Sequence, residues 1–171
     1  MDTKPVFHGS DREKICSYYN LKKEAIVKFG ANVNPLGLSP KASKAIAEHV
    51  DLLSSYPDRE YTSLRHTISR YFRIPADFIR PGNGSSELIS LLIEERAPKP
   101  TLILGPTYSE YSRELSFSGS TQEYYHLQEN NDFGPDIPDL CKKLTQGYDF
   151  LILCNPNNPT SSAISKEDLS K

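Results

Sequence analysis

The residues best suited to chemistry stand in three short stretches. Arg80-Pro81-Gly82-Asn83-Gly84-Ser85-Ser86-Glu87 is a glycine-rich turn running straight into the apolar segment Leu88-Ile89-Ser90-Leu91-Leu92-Ile93. The first turn of a helix holds backbone N–H groups with no carbonyl to bond, and the helix dipole adds positive charge there. Gly84, Ser85 and Ser86 therefore form a candidate phosphate site, with glycine permitting close approach of the backbone. The same residues also read as an ordinary capped helix start, with Ser85 or Ser86 as N-cap. The pattern is neither the G-x-x-x-x-G-K-[ST] of P-loops nor the G-x-G-x-x-G of dinucleotide folds, so its company must decide between the two readings. Gly105-Pro106-Thr107-Tyr108 offers an aromatic face, and Asn155-Pro156-Asn157-Asn158-Pro159-Thr160 offers carboxamides that can bond a ring oxygen or a carboxylate. Amides for a phosphate, an aromatic face and carboxamides together describe a site for a flat, phosphorylated heteroaromatic cofactor.

These stretches need elements to hold them at one place. A polar helix is expected from Asp11 to Tyr19 and a short helical piece near Lys22 to Ile26; apolar spacing predicts helices from Pro40 to Val50 and Thr62 to Phe72, and further helices are expected from Ser86 to Arg96, Ser109 to Phe117 and Ile137 to Leu144. Strands are expected at Val27 onward, breaking into the Asn34-Pro35-Leu36-Gly37 loop, and at Phe78 to Arg80, Thr101 to Leu104, Gln122 to Leu127 and Phe150 to Cys154. The runs Leu102-Ile103-Leu104 and Leu151-Ile152-Leu153 are apolar without alternation, as in strands covered on both faces. Alternating strands and helices at this spacing give an α/β fold with a mostly parallel sheet and helices on both faces. Ligands in such folds lie beyond the carboxyl ends of the strands, so the loops after Arg80, Leu104 and Cys154 are expected on one rim.

Composition narrows the class. The chain has 171 residues, 37% hydrophobic, and a formal net charge of -2 with both signs interspersed. No apolar run is as long as a membrane span, and Met1-Asp2-Thr3-Lys4-Pro5 lacks a hydrophobic signal core, so neither membrane nor secretory signal is expected. There is no basic face for nucleic acid. Cys16, Cys141 and Cys154 are widely spaced and contain no C-x-x-C pair, which argues against disulfides and zinc and for a reducing, cytoplasmic setting. Cys154, at the end of an apolar run, reads as a small buried hydrophobe rather than a nucleophile.

In order along the chain, His8-Gly9, Phe29-x-Ala31-Asn32-x-Asn34-Pro35-Leu36-Gly37, Tyr56-Pro57-Asp58 with Tyr61, Gly82-Asn83-Gly84-Ser85-Ser86, Pro106-Thr107-Tyr108 and Asn155-Pro156-Asn157-Asn158-Pro159-Thr160 resemble the fold-type I pyridoxal-phosphate enzymes of the class I/II aminotransferase group. Two subfamilies share these elements, histidinol-phosphate aminotransferase and threonine-phosphate decarboxylase, and the His8-Gly9 opening is more similar to the second. The resemblance implies that Gly84, Ser85 and Ser86 hold the phosphate of pyridoxal 5'-phosphate, that Tyr108 stacks on its pyridine ring, and that Asn158 bonds its phenolic oxygen, with Asn157 structural. It implies that Tyr56 crosses a homodimer interface to the partner subunit's cofactor phosphate, or else serves as a hydrophobic staple, and that His8 and Asn32 contact the phosphate of a phosphorylated amino-acid substrate. Where the family has Gly after Asn-Pro-Thr, this chain has Ser161, which at a positive φ carries strain or imposes a different turn.

The Schiff-base lysine and the carboxylate at the pyridine nitrogen come after the Asn-Pro loop in that family, so no catalytic residue is expected in this stretch and Lys171 reads as a cut point. Leu169-Ser170-Lys171 only superficially resembles the lysine motif, because Ser165-Lys166-Glu167-Asp168 reads as the capped start of a surface helix. The expected layout is an arm and small-domain segment over residues 1–54, followed by the first, incomplete part of a cofactor-binding large domain over 55–171. The resemblance implies decarboxylation of threonine O-3-phosphate to aminopropanol phosphate for cobalamin synthesis in the complete protein, with transamination of histidinol phosphate as the alternative. An inactive phosphate-ligand binding fragment is the reading of another class. A half-built sheet is expected to expose an apolar strand edge.

Overall fold

Every residue of Thr101–Gly105 is buried, and this strand is the centre about which the rest is arranged. The computed structural model describes residues 11–27 and 33–171. In chain order the helices are α1 (Arg12–Tyr19), α2 (Pro40–Glu48), α3 (Thr62–Phe72), α4 (Ser85–Arg96), α5 (Ser109–Phe117), α6 (Ile137–Leu144) and α7 (Lys166–Leu169). The strands are β1 (Thr101–Gly105), β2 (Gln122–His126) and β3 (Phe150–Ile152). The chain divides between Arg59 and Glu60 into two compact units.

In the second unit the three strands are parallel in the order β2-β1-β3, with Thr101 beside Gln122 and Phe150. Parallel neighbours require crossovers, and these are α5 between β1 and β2 and α6 between β2 and β3. The period of two along β1 gives each face its own core. Ile103 packs with Ile93 of α4, Leu115 of α5 and Ile152, whereas Leu102 and Leu104 pack with Leu127 and Leu140 of α6. Burying each such side chain contributes about 1.5–3 kcal/mol. The one polar side chain in β1, Thr101, is satisfied by Ser120 Oγ at 3.0 Å.

Local chemistry sets the element ends. The Asp136 carboxylate accepts from the Asp139 N–H at 3.1 Å and caps α6, which carries Lys142 and Lys143 in its last turn, where the dipole favours cations. Ser165 Oγ likewise accepts from the Asp168 N–H at 3.1 Å, so the capped start read from the sequence is present, and Lys171 pairs with the Asp168 carboxylate at 2.9 Å. Pro40 opens α2 as expected, but α2 ends at Glu48 and a 3-10 turn, Val50–Ser54, takes over the last predicted turn.

Two expectations need correction, and a third falls mostly outside the described residues. Phe78 to Arg80 is not a strand: Ala76–Phe78 is a 3-10 turn, and Ile79 is extended without a strand beside it among the described residues. The turn is pinned by Arg65, whose guanidinium donates twice to the Ala76 carbonyl and once to the Asp77 carboxylate at 3.1 Å. Strand β3 stops at Ile152, because Asn155 turns the chain by bonding both the N–H and the carbonyl of Ile164. The strand predicted from Val27 lies mostly outside the described residues, and Val27 itself is not in a strand. Among the described strands, β2 and β3 are the two edges, each with one side unpaired.

Candidate functional site

The glycine loop delivers the chain into α4 through a backbone that only glycine tolerates. Gly84 is the N-cap at φ 84° and ψ 170°, a combination closed to side chains, and nothing lies within 4 Å of where its Cβ would stand. The helix therefore begins at Ser85, and neither Ser85 nor Ser86 is the cap. No side chain caps it, which leaves the first-turn amides of Ser85 and Ser86 open. Gly84 contributes differently from expectation, since its own N–H is taken by the Gly82 carbonyl at 3.0 Å. Glu87 folds back so that its carboxylate accepts from the Asn83 N–H. A carboxylate at the third helical position is the reach-back half of a capping box, but here it goes one residue further, to the N–H before the cap, because the N–H of Gly84 is already taken. Gly82 is small for a packing reason, because an added Cβ would sit 2.7 Å from Leu88 Cδ2 and 2.9 Å from Glu87 Oε2.

The other two loops stand at one end of the sheet, since β1 and β3 are parallel neighbours and each loop follows its strand. Tyr108 is the N-cap of α5 and is half-buried. Its ring meets Tyr111 edge-on, with centroids 5.6 Å apart and an interplanar angle of 89°, the arrangement that the ring quadrupoles favour. Tyr111 in turn packs on the core cluster of Ile93, Ile103, Leu115 and Ile152, as does Ile89 from the first turns of α4. Thus the helix of the glycine loop and the helix of Tyr108 rest on the same apolar cluster. Burial, and then hydrogen bonding to the Cys154 thiol, push the Tyr111 phenol up to about 12. Cys154 is half-buried and donates to the Pro156 carbonyl at 3.5 Å, so it is a hydrogen-bonded, partly exposed thiol where a small buried hydrophobe was expected.

Asn157 joins the two loops. It is 7% exposed. Its Nδ2 donates to the Pro106 carbonyl at 2.9 Å and to Thr160 Oγ1 at 2.7 Å, while its Oδ1 accepts from the Thr107 hydroxyl at 2.8 Å. The structural part expected of Asn157 is therefore this clamp between Tyr108's turn and the Asn-Pro loop. Asn158, next in the chain, is exposed. Ser161 closes the loop at φ 62°, its N–H bonded to the Asn157 carbonyl at 2.8 Å. The Ser therefore occupies a left-handed turn, the strained of the two outcomes expected.

Tyr56 belongs to the first unit and is fully exposed. His8 and Asn32 lie outside the described residues. Among the described residues no group of His, Cys, Asp and Glu could hold a metal ion, and no helix is long and apolar enough to cross a membrane.

The sequence matches the family described as aminotransferase class I and II over residues 24–171. The chain belongs to that family. The family and its solved members indicate pyridoxal 5'-phosphate as the cofactor. This class I/II aminotransferase chain is 32% identical to the threonine-phosphate decarboxylase of Salmonella typhimurium over 154 residues, covering 90% of this chain and 42% of that protein. Against the crystal structure of the histidinol-phosphate aminotransferase from Clostridium acetobutylicum the TM-score is 0.72 at 33% identity, covering 82% of this chain and 40% of that one. The fold is also that of the Sinorhizobium meliloti histidinol-phosphate aminotransferase solved in complex with pyridoxal-5'-phosphate, with a TM-score of 0.75 at 19% identity, covering 92% of this chain and 41% of that one. The chain thus spans less than half the length of these relatives. The fold is the fold-type I architecture of pyridoxal-phosphate enzymes, present in part.

The residues present fit this cofactor. Open first-turn amides at Ser85 and Ser86, with no Cβ at Gly84, could receive a dianionic phosphate. A half-buried aromatic ring and an exposed carboxamide at the same end of the sheet suit a flat ring bearing a phenolic oxygen.

Proposed function

We propose that the complete protein is a pyridoxal-phosphate enzyme acting on a phosphorylated amino-acid substrate, and that it decarboxylates threonine O-3-phosphate to aminopropanol phosphate. The observation that carries the cofactor site is the Asn157 clamp, which ties the turn bearing Tyr108 to the loop bearing Asn158. In this reading the amides of Ser85 and Ser86 and the bare backbone of Gly84 bind the cofactor phosphate. Tyr108 stacks on the pyridine face, and Asn158 donates to the phenolic oxygen and orients the ring. When bound, the cofactor supplies an electron sink for bonds broken at the substrate α-carbon. Tyr56 extends to the cofactor phosphate of a second copy in a homodimer, and its full exposure in one subunit is compatible with that reach. His8 and Asn32 hold the substrate phosphate.

The second reading, transamination of histidinol phosphate, is favoured by the 33% identity to the Clostridium acetobutylicum enzyme, level with the 32% to the decarboxylase. Full-length protein incubated with threonine phosphate is expected to release carbon dioxide. Transfer of the amino group of histidinol phosphate to an oxo-acid, without carbon dioxide release, decides for the aminotransferase. Protein that stays colourless with pyridoxal phosphate refutes both, and a non-catalytic phosphate-ligand binder then remains. His8→Ala is expected to weaken substrate binding while leaving cofactor loading intact; equal loss of both removes His8 from its role.

A further inference from the structure

We infer that Asn157 is a positioning residue for the cofactor ring, acting through the turn that carries Tyr108. The inference rests on the cofactor reading above and adds to it a specific part for a side chain that itself touches neither phosphate nor ring. Its carboxamide is almost fully used within the protein, with two bonds donated and one accepted, so it has little left to offer a ligand. Two of its partners, Pro106 and Thr107, are the residues immediately before Tyr108. With the Pro106 carbonyl and the Thr107 hydroxyl both fixed, the backbone entering Tyr108 has its path set from the loop beyond β3. The ring is set separately by the edge-on contact with Tyr111.

The network extends away from the site. Thr160 Oγ1 lies 2.8 Å from Ser162 Oγ, and the Ser162 hydroxyl donates to the Phe133 carbonyl at 3.0 Å. Asn157 is thus anchored on two sides, by its own backbone N–H bonded to the Ser162 carbonyl at 2.8 Å and by its side chain through Thr160. A carboxamide held in this way transmits its position, because moving it breaks bonds at a buried site where unpaired polar groups are costly. Removing it frees the Tyr108 turn to move relative to Asn158, and the stacking ring and the phenolic-oxygen donor lose their common register.

The test is a double-mutant cycle in the full-length protein, reading the dissociation constant of pyridoxal phosphate and the circular dichroism of its bound absorption band. Asn157→Ala is expected to weaken cofactor binding about tenfold and to change the induced dichroism, but to cost less than about threefold once Tyr108 is replaced by Ala, as for residues that act through one another. Should Asn157→Ala fail to fold, Thr107→Val, which removes a single hydrogen bond, enters the same cycle; Thr107→Ser, which keeps the hydroxyl, is expected to bind and to give dichroism as the parent does. Equal losses with and without Tyr108, accompanied by an unchanged dichroic band, overturn the positioning role while leaving the cofactor site standing. A parent protein that binds no pyridoxal phosphate overturns the cofactor reading and this inference with it.

Discussion

Ser161 gives a prediction whose sign follows from opposing terms of known size. It sits at φ 62°, exposed, at the close of the loop that holds Asn157 and Asn158. A left-handed backbone costs an L-residue roughly 1–2 kcal/mol, because Cβ approaches the following carbonyl. Replacing Ser161 with Gly removes that cost but adds roughly 0.5–1 kcal/mol of chain entropy lost on folding. Between the middles of those two ranges the balance favours Gly by about 0.75 kcal/mol, given the conformation alone. Ser161→Ala keeps Cβ and the strain, so it is expected to lie within about 0.5 kcal/mol of the parent, as an exposed substitution should. With a urea slope of about 2 kcal/mol per molar, Ser161→Gly should raise the unfolding midpoint of the full-length protein by about 0.4 M. A Gly variant no more stable than the Ala variant refutes the claim that the turn is strained, and a changed slope shows that something other than stability was altered.

Further outcomes follow from the anion loop and the tyrosine pair. Gly84→Ala should lose about 1–3 kcal/mol by forcing a side chain into a region of backbone space reserved for glycine, as measured by denaturant unfolding. Gly82→Ala should instead act through packing, pushing Leu88 and lifting the Glu87 carboxylate from Asn83, so pyridoxal-phosphate affinity falls in titration together with about 1–3 kcal/mol of stability. Glu87→Gln retains an acceptor for the Asn83 N–H and removes a negative charge beside the phosphate cradle. Phosphate and pyridoxal phosphate should bind roughly 2- to 5-fold tighter, the range of an exposed charge interaction. Raising the Tyr111 phenol up to about 12 means that the fold favours its neutral form. Its contribution to stability is therefore complete below the unfolded value of about 10 and is lost as pH rises from there toward 12. Tyr111→Phe should flatten the alkaline fall in the unfolding midpoint over that window. Tyr125, also pushed up to about 12, titrates alike in both proteins.

The sequence was most legible where local physics decides. Helices α3, α5 and α6 have the limits expected of them, and β1 is the doubly covered strand that Leu102-Ile103-Leu104 announced. Ser161 was marked as a residue at odds with its turn, and it is. The misplaced strand at Phe78 to Arg80 failed because a strand needs a neighbour, and the pinning of Ala76 by Arg65, eleven positions earlier, carries no periodic signal. That Asn157 is structural was implied by the family resemblance of the Asn-Pro loop, not by its local sequence. Its partners could not be read at all, because the contact with Thr107 spans fifty positions and exists only once β1 and β3 are side by side. Tyr111 was hidden for a similar reason: an aromatic three residues after Tyr108 reads as core, and it is core on one edge while supporting a site residue on the other.

That fifty-residue span bears on the order in which the site comes into being. The glycine loop is fixed by contacts within a few positions, from Gly82 to Glu87 and Leu88, and can form as soon as α4 does. The clamp requires two crossovers to be completed and a long loop to be closed, with the entropy that closure removes, so it belongs to the slow, non-local part of folding. A chain caught midway would have its anion cradle built and its ring-holding turn unset, able to take up inorganic phosphate before it can grip an aromatic ring.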